Sequence, residues 1–92
     1  MKKPTAAICG LINKGRTCCD ARIQDVQDKR VLAQLHQNLE DVGLRWTCTG
    51  QEGHAGFVGT IDSDHVFNEG VFQTTLHAFC MSGIEVTDSP LH

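Results

Sequence analysis

The chain has 92 residues, of which 40% are apolar and 21% are charged. This length and composition predict one domain, residues 1–92, with a single modest core, and they exclude a disordered tail. No apolar run approaches the length that crosses a bilayer, so no membrane partner is expected.

The net charge of −3 hides a strong asymmetry along the chain. All eight Lys and Arg residues lie within residues 1–45, which also hold five acids and carry a charge of +3. Residues 46–92 hold six acids and neither Lys nor Arg, a charge of −6. The pattern indicates one surface for an anionic partner and another for water or a basic protein. Alternatively, folding mixes the two halves and pairs their charges.

The first residues, "MKKPTAAICGLI", imitate a signal peptide, with two lysines before a short apolar run. Asn13, Lys14 and Arg16 end that run at once, and no small-residue cleavage site follows. We therefore expect a β-strand over Thr5–Ile12 and a cytoplasmic protein, in a compartment that keeps thiols reduced.

The glycine of "NKGR" predicts a tight hairpin, and the residues after it alternate between apolar and polar. This period of two predicts a half-buried strand, with Arg22 and Gln24 on the polar face and Ile23 on the other. Neighbouring residues on a strand point to opposite faces, so Cys18 and Cys19 are not expected to chelate one ion.

A helix is predicted from Asp25 or Asp28, one of which caps it, to Val42, with Gly43 at its left-handed end. Two strands, Leu44–Thr49 and Gly56–Asp62, follow around a turn at Gln51–Ala55. The apolar stripe of this helix consists of Leu32, Leu35, Leu39 and Val42.

A second helix is expected to start at Ser63 or Asp64, to end at Gly83 and to precede a strand at Ile84–Thr87. Its expected buried side consists of Phe67, Val71, Phe72, Leu76 and Phe79. The resulting order, β-β-α-β-β-α-β, predicts an α+β fold in two layers, a mostly antiparallel sheet with two helices on one face.

The five cysteines and five histidines raise metal and thiol chemistry, but no two cysteines are separated by two to four residues, as in structural zinc sites. Cys9, Cys48 and Cys80 lie in apolar segments and are expected in the core, with no metal or other cofactor. Asp62 and Asp64 could form half of a cation site, although capping of the second helix explains them better.

A cysteine nucleophile is the enzymatic alternative, because Lys14 and Arg16 could lower a neighbouring thiol pKa. The thiol would be that of Cys18 or Cys19. The spacing selects no base among His36, His54, His65 and His77.

The basic residues near the hairpin form the strongest candidate site. Lys and Arg would meet phosphates there, while Asn and Gln could reach base edges or backbone amides. The chain has no Tyr and one Trp, so it offers no platform for base stacking. Its net negative charge favours a composite partner of protein and nucleic acid. The expected contact residues are Asn13, Lys14, Arg16, Arg22, Gln24, Lys29 and Arg30. Four of them are expected to be exposed, close together and largely free of internal salt bridges, namely Lys14, Arg16, Arg22 and Arg30.

The chain resembles the small phage-encoded anti-CRISPR proteins, in particular inhibitors of type I-F surveillance complexes. Its partner-contacting surface would be the segment "INKGRTCCDARIQDVQDKR". The resemblance covers the whole chain in size, layout and bipolar charge, and it includes no shared motif. It implies a stoichiometric, non-enzymatic inhibitor in the host-cell cytoplasm. Such an inhibitor binds the protein subunits and guide RNA of a ribonucleoprotein and blocks target DNA recognition, without a small-molecule substrate. The alternatives are a small enzyme with a Cys/His pair and a structural subunit without a ligand.

Overall fold

The computed structural model describes residues 3–9 and 15–88, except for the side chains of Cys9 and Asp88. The predicted order of elements, β-β-α-β-β-α-β, is confirmed. The elements are β1 (Thr5–Cys9), β2 (Cys18–Gln24), α1 (Arg30–Glu40), β3 (Leu44–Glu52), β4 (Gly56–Ser63), α2 (Glu69–Met81) and β5 (Glu85–Asp88).

The five strands form one sheet in the order β3-β4-β2-β1-β5. Every neighbouring pair is antiparallel except β1 and β5, which are parallel. The register shifts between Cys48 and Gly50 on β3, and between Ala6 and Ala7 where β1 meets β5. The predicted α+β fold is therefore confirmed, with both helices on one face of a mostly antiparallel sheet.

The core lies between the sheet and the two helices, where apolar residues of both layers meet. Ile23 and Ile61 are fully buried on the sheet side, and Leu35, Leu39 and Phe79 are fully buried on the helix side. Burial of these side chains is the main stabilising contribution to a domain of this size. No helix in the described part of the chain is long and apolar enough to span a membrane.

Val42 is the exception to the predicted stripe of α1, because 46% of it is exposed. The helix ends at Glu40, and Gly43 adopts a φ of +82°, which turns the chain toward β3. Val42 therefore lies beyond the last helical turn, where the helical period no longer directs it toward the core.

The start of α1 resolves the choice between two capping aspartates. Asp25 has a φ of +61° and lies in the connection before the helix. Asp28 accepts the Arg30 backbone N–H through Oδ1 at 3.0 Å, whereas Lys29 makes no side-chain cap. Asp28 thus satisfies one of the donors that a helix start leaves unpaired.

The start of α2 was predicted wrongly, because the helix begins at Glu69 with Asn68 as its cap. The Asn68 side chain accepts the Val71 N–H at 2.9 Å. Ser63 instead ends β4, paired with Leu44, and its Oγ accepts the His65 N–H at 3.1 Å. Strand pairing outcompetes a local capping pattern at Ser63, since it satisfies the backbone over the whole strand.

Gly59 lies on β4 opposite Cys48 of β3, and we expect Gly59→Ala to destabilise the fold. A Cβ there would meet the carbonyl oxygen of Thr47 and lie 2.7 Å from Cη2 of Trp46. Neither neighbour can move freely, because Thr47 contributes backbone and Trp46 is buried. The expected loss of unfolding free energy is about 1–3 kcal/mol, the usual cost of overpacking, and urea unfolding measures it.

Gly70→Ala is the matched control, because Gly70 lies on the exposed first turn of α2. A Cβ there would meet only Oδ1 of Asn68, at 3.3 Å, and alanine favours the helix by up to about 1 kcal/mol. Its stability should be unchanged or slightly raised. Equal effects of the two substitutions would show that the close approach at Gly59 has been misjudged.

Candidate interaction surface

Seven residues were expected to contact a partner, and the structure describes five of them. Asn13 and Lys14 lie outside the described residues. The five that are described, all exposed, are Arg16, Arg22, Gln24, Lys29 and Arg30.

The orientation of the side chains on β2 is as predicted. Ala21 and Ile23 are buried under the helices, whereas Arg22 and Gln24 point away from them. Cys19 is buried and Cys18 is partly buried, so these two neighbours differ in accessibility, as alternation along a strand requires.

The expected clustering of the cations stays a prediction, although β2 lies between Arg16 and the start of α1 at Arg30. The carbonyl of Arg16 accepts the Phe67 N–H at 2.6 Å, which places Arg16 at one end of the sheet. β2 begins at Cys18, two residues after Arg16, and its seven residues extend over about 20 Å at the usual rise of a strand. Lys29 follows the opposite end of β2, where the Val26 N–H binds the Ala55 carbonyl at 2.9 Å. The extension of the strand thus separates residues that are near in sequence.

The expected freedom from salt bridges is wrong for two of the arginines. Nη2 of Arg22 lies 3.3 Å from Oε1 of Glu52, and Nη2 of Arg30 lies 2.7 Å from Oδ2 of Asp28. Because the Arg22–Glu52 pair is about half exposed, it stabilises the fold little. Arg22 can therefore exchange Glu52 for another anion at small cost.

Arg30 is held more firmly, although 91% of its side chain is exposed. Its Nε donates to Oδ2 of Asp28 at 2.9 Å, and its backbone N–H donates to Oδ1 of the same carboxylate. The side-chain hydrogen bond from Arg30, followed by the backbone one, lowers the pKa of Asp28, and the same side-chain bond raises the pKa of Arg30. Arg30 thus helps to fix the start of α1.

This contact predicts a titration that NMR can follow at the Asp28 carboxyl carbon. The pKa of Asp28 should lie below its ordinary value, because Arg30 binds the ionised form. The stabilisation is then present above the ordinary carboxyl pKa and is lost as pH falls through the lowered value. In Arg30→Ala the pKa of Asp28 should rise part of the way, since the backbone hydrogen bond stays. An unchanged midpoint in that variant would contradict the assignment.

Arg16 and Lys29 are the contact-set cations left without an ion pair in the described part of the chain. Both side chains lie in exposed segments next to β2 and α1. These two residues can therefore meet an external anion without breaking any ion pair that the described residues form.

A shallow hollow of about 550 Å³ lies on the sheet face that the helices leave uncovered. Its apolar floor includes Ala7 and Val58, and the Arg22–Glu52 pair stands at its side. Thr49, at the register shift of β3, also borders it. The hollow places one exchangeable cation beside small apolar side chains, an arrangement suited to contact with a protein surface.

Two of the cysteines expected in the core are exposed, namely Cys48 and Cys80. Cys48 lies on the edge strand at the register shift, where its Sγ approaches the Gly50 carbonyl oxygen at 3.3 Å. Cys80 follows the buried Phe79 on α2, and the helical rotation carries it out of the core. An apolar neighbourhood in sequence did not predict the side-chain direction at either position.

No group of three or more His, Cys, Asp or Glu side chains in the described residues could hold a metal ion. Asp64 lies 3.9 Å from Nη2 of Arg45. Cys48 pairs with Gly59 along the β3–β4 hairpin, whereas His54 lies in its turn.

Comparison with protein families, with curated proteins and with solved structures finds no match for this chain. A function is therefore to be inferred from the geometry of the exposed cations and of the uncovered sheet face.

Proposed function

We propose that this protein is a stoichiometric, phage-encoded inhibitor that binds a type I-F CRISPR surveillance complex in the host-cell cytoplasm and blocks target DNA recognition. The observation that supports the proposal is that Arg16 and Lys29 are both exposed and form no ion pair with any described residue. They lie toward opposite ends of the sheet. Arg22 and Gln24 lie between them on the uncovered face.

The spacing of these residues favours a partner made of protein and RNA over bare nucleic acid. Each strand of a B-DNA duplex carries a phosphate about every 3.4 Å along the helix axis, so the length of β2, about 20 Å, would pass about six phosphates. Residues 16–29 supply three cations, too few to neutralise about six phosphates, and the net charge of −3 opposes binding to bare nucleic acid. Isolated phosphate contacts within a larger protein interface suit the arrangement better.

The dimensions of the molecule suit a steric mechanism. The described chain measures 37 × 24 × 20 Å, and one turn of duplex DNA is about 34 Å long. A protein of this size, bound where target DNA must pass, would cover about one turn of the duplex path. Inhibition would then require one bound copy at each blocked position and no chemical step.

The direct test uses a purified type I-F surveillance complex loaded with its guide RNA. We expect the protein to co-elute with the complex at a fixed ratio and to prevent binding of a labelled target duplex. The logarithm of the association constant should fall linearly with the logarithm of the salt concentration. Each phosphate contact should add close to one unit to the steepness of that slope. Normal target binding in the presence of a molar excess of the protein would refute the proposal.

A further inference from the structure

A groove of about 530 Å³ separates the end of α1 and the start of β3 from the start of α2. This volume falls within the range of ligand-binding clefts. Its described lining includes neither Lys nor Arg. We name it the acidic groove; its lining includes Val42, Gly43, Leu44, Asp64, Gly70 and Val71.

The floor of the acidic groove is apolar and partly uncovered. Leu44 is buried at its base, Val71 is partly buried, and Val42 is 46% exposed. Gly43 and Gly70 have no side chains that could close the space above this floor. An apolar side chain from outside would remove Val42 from water without displacing any part of the described chain.

The rim of the acidic groove is negative. Asp64 lines the groove. Asp41 and Glu69 are not lining residues but are next in sequence to residues that are, and all three acids are exposed. Arg45 lies 3.9 Å from Asp64 and offsets one of these three carboxylates, which leaves two negative charges.

The positive end of the α2 dipole does not reverse this preference. The Asn68 side chain already accepts the Val71 N–H at 2.9 Å, and Glu69 places a carboxylate on the first helical turn. The Asn68 cap satisfies a free N–H, and the Glu69 carboxylate offsets the partial positive charge at the start of α2. The groove is therefore not primarily an anion site.

We infer that the acidic groove docks a segment of the partner protein that carries Lys or Arg beside an apolar side chain. The apolar side chain packs on Val42 and Val71, and the cation faces Asp64 and Glu69. This inference rests on the proposed function. Arg16 adjoins the same end of the sheet through its contact with Phe67, so a phosphate contact and a basic protein segment would meet the molecule side by side. RNA-binding subunits carry such basic segments because they hold phosphates.

The test follows backbone NMR shifts of the full chain during titration with the peptide Ac-Lys-Leu-Arg-Leu-Lys-NH2. Shifts are expected at Val42–Leu44 and at residues 64–74. They should be absent with the matched acidic peptide Ac-Glu-Leu-Glu-Leu-Glu-NH2 and with oligo(dT). Asp64→Asn/Glu69→Gln should weaken the peptide affinity several-fold. The control Glu52→Gln/Glu85→Gln, which neutralises two exposed acids outside the groove, should leave it unchanged.

Val42→Ser provides a second variant that removes the apolar contact and keeps every charge. Melting temperatures verify that all variants fold. Three results would overturn the inference: no shifts with the basic peptide, equal shifts with the acidic peptide, or shifts spread evenly over the exposed Asp and Glu residues of the chain.

Binding to the surveillance complex distinguishes a failure of this inference from a failure of the proposed function. If the complex binds the wild-type protein and Asp64→Asn/Glu69→Gln equally, the docking inference is wrong and the proposed function stands. If the complex binds neither protein while the peptide enters the groove, the proposed function fails and the groove remains a site for basic segments.

Discussion

Replacing Phe79 with alanine should lower the free energy of unfolding by about 3–5 kcal/mol, and Leu35→Ala should lower it by about 2–5 kcal/mol. Phe79 is fully buried on α2, and Leu35 is fully buried on α1. Each substitution removes apolar contacts and leaves a cavity between the helices and the sheet, which the surrounding side chains fill only in part. In a domain of this size, either loss is a large share of the total stability.

Urea unfolding measures both effects, and Met81→Ala is the matched control. Met81 ends α2 with 62% of its surface exposed, so its truncation should change stability by no more than about 0.5 kcal/mol. A loss below about 1 kcal/mol at Phe79 or Leu35 would be inconsistent with core positions.

Reversing the charges of Lys14 and Arg16 to glutamate should abolish binding to the surveillance complex and leave the melting temperature nearly unchanged. The Arg16 side chain is exposed, and the structural contact of this residue is made by its backbone carbonyl, which the substitution retains. A glutamate beside a phosphate would replace attraction by repulsion. Binding is measured by co-elution with the complex, and stability by thermal unfolding.

Two control variants test whether this effect is electrostatic and specific to the two positions. Lys3→Glu reverses an exposed cation outside the contact set and should leave binding intact. Cys18→Ser changes a partly buried thiol beside the same segment and should also have no effect. If binding survives the reversals at Lys14 and Arg16 and fails with Cys18→Ser, the association depends on the thiol and not on the cations.

Much of the fold follows from hydrophobic periodicity. The alternation around Ile23 placed β2 correctly, and the stripe through Leu35 and Leu39 placed α1. Boundaries were less predictable where two local patterns competed. At Ser63 a capping motif competed with strand pairing to Leu44, and the partner strand cannot be read from the local sequence.

The candidate site was predictable residue by residue but not as an arrangement. Period two predicted that Arg22 would be exposed, yet its ion pair with Glu52 depends on the pairing of three strands. Cys48 lies on the edge strand β3 and is exposed, and the local composition does not mark this exposure. Nearness in sequence does not place Arg16 beside Arg30, because β2 lies between them and a strand extends by about 3.3 Å per residue.

The parallel pairing of β1 and β5 affects how the chain folds. Thr5 pairs with Glu85, so the first and last described strands meet only after all the residues between them have been synthesised. Until then one edge of β1 is unpaired. Closing so long a loop costs conformational entropy before the β1–β5 contacts can stabilise it. This high contact order favours slow completion of the sheet, with the hairpins forming first and β5 docking last. A nascent chain on the ribosome is therefore most vulnerable to association along β1.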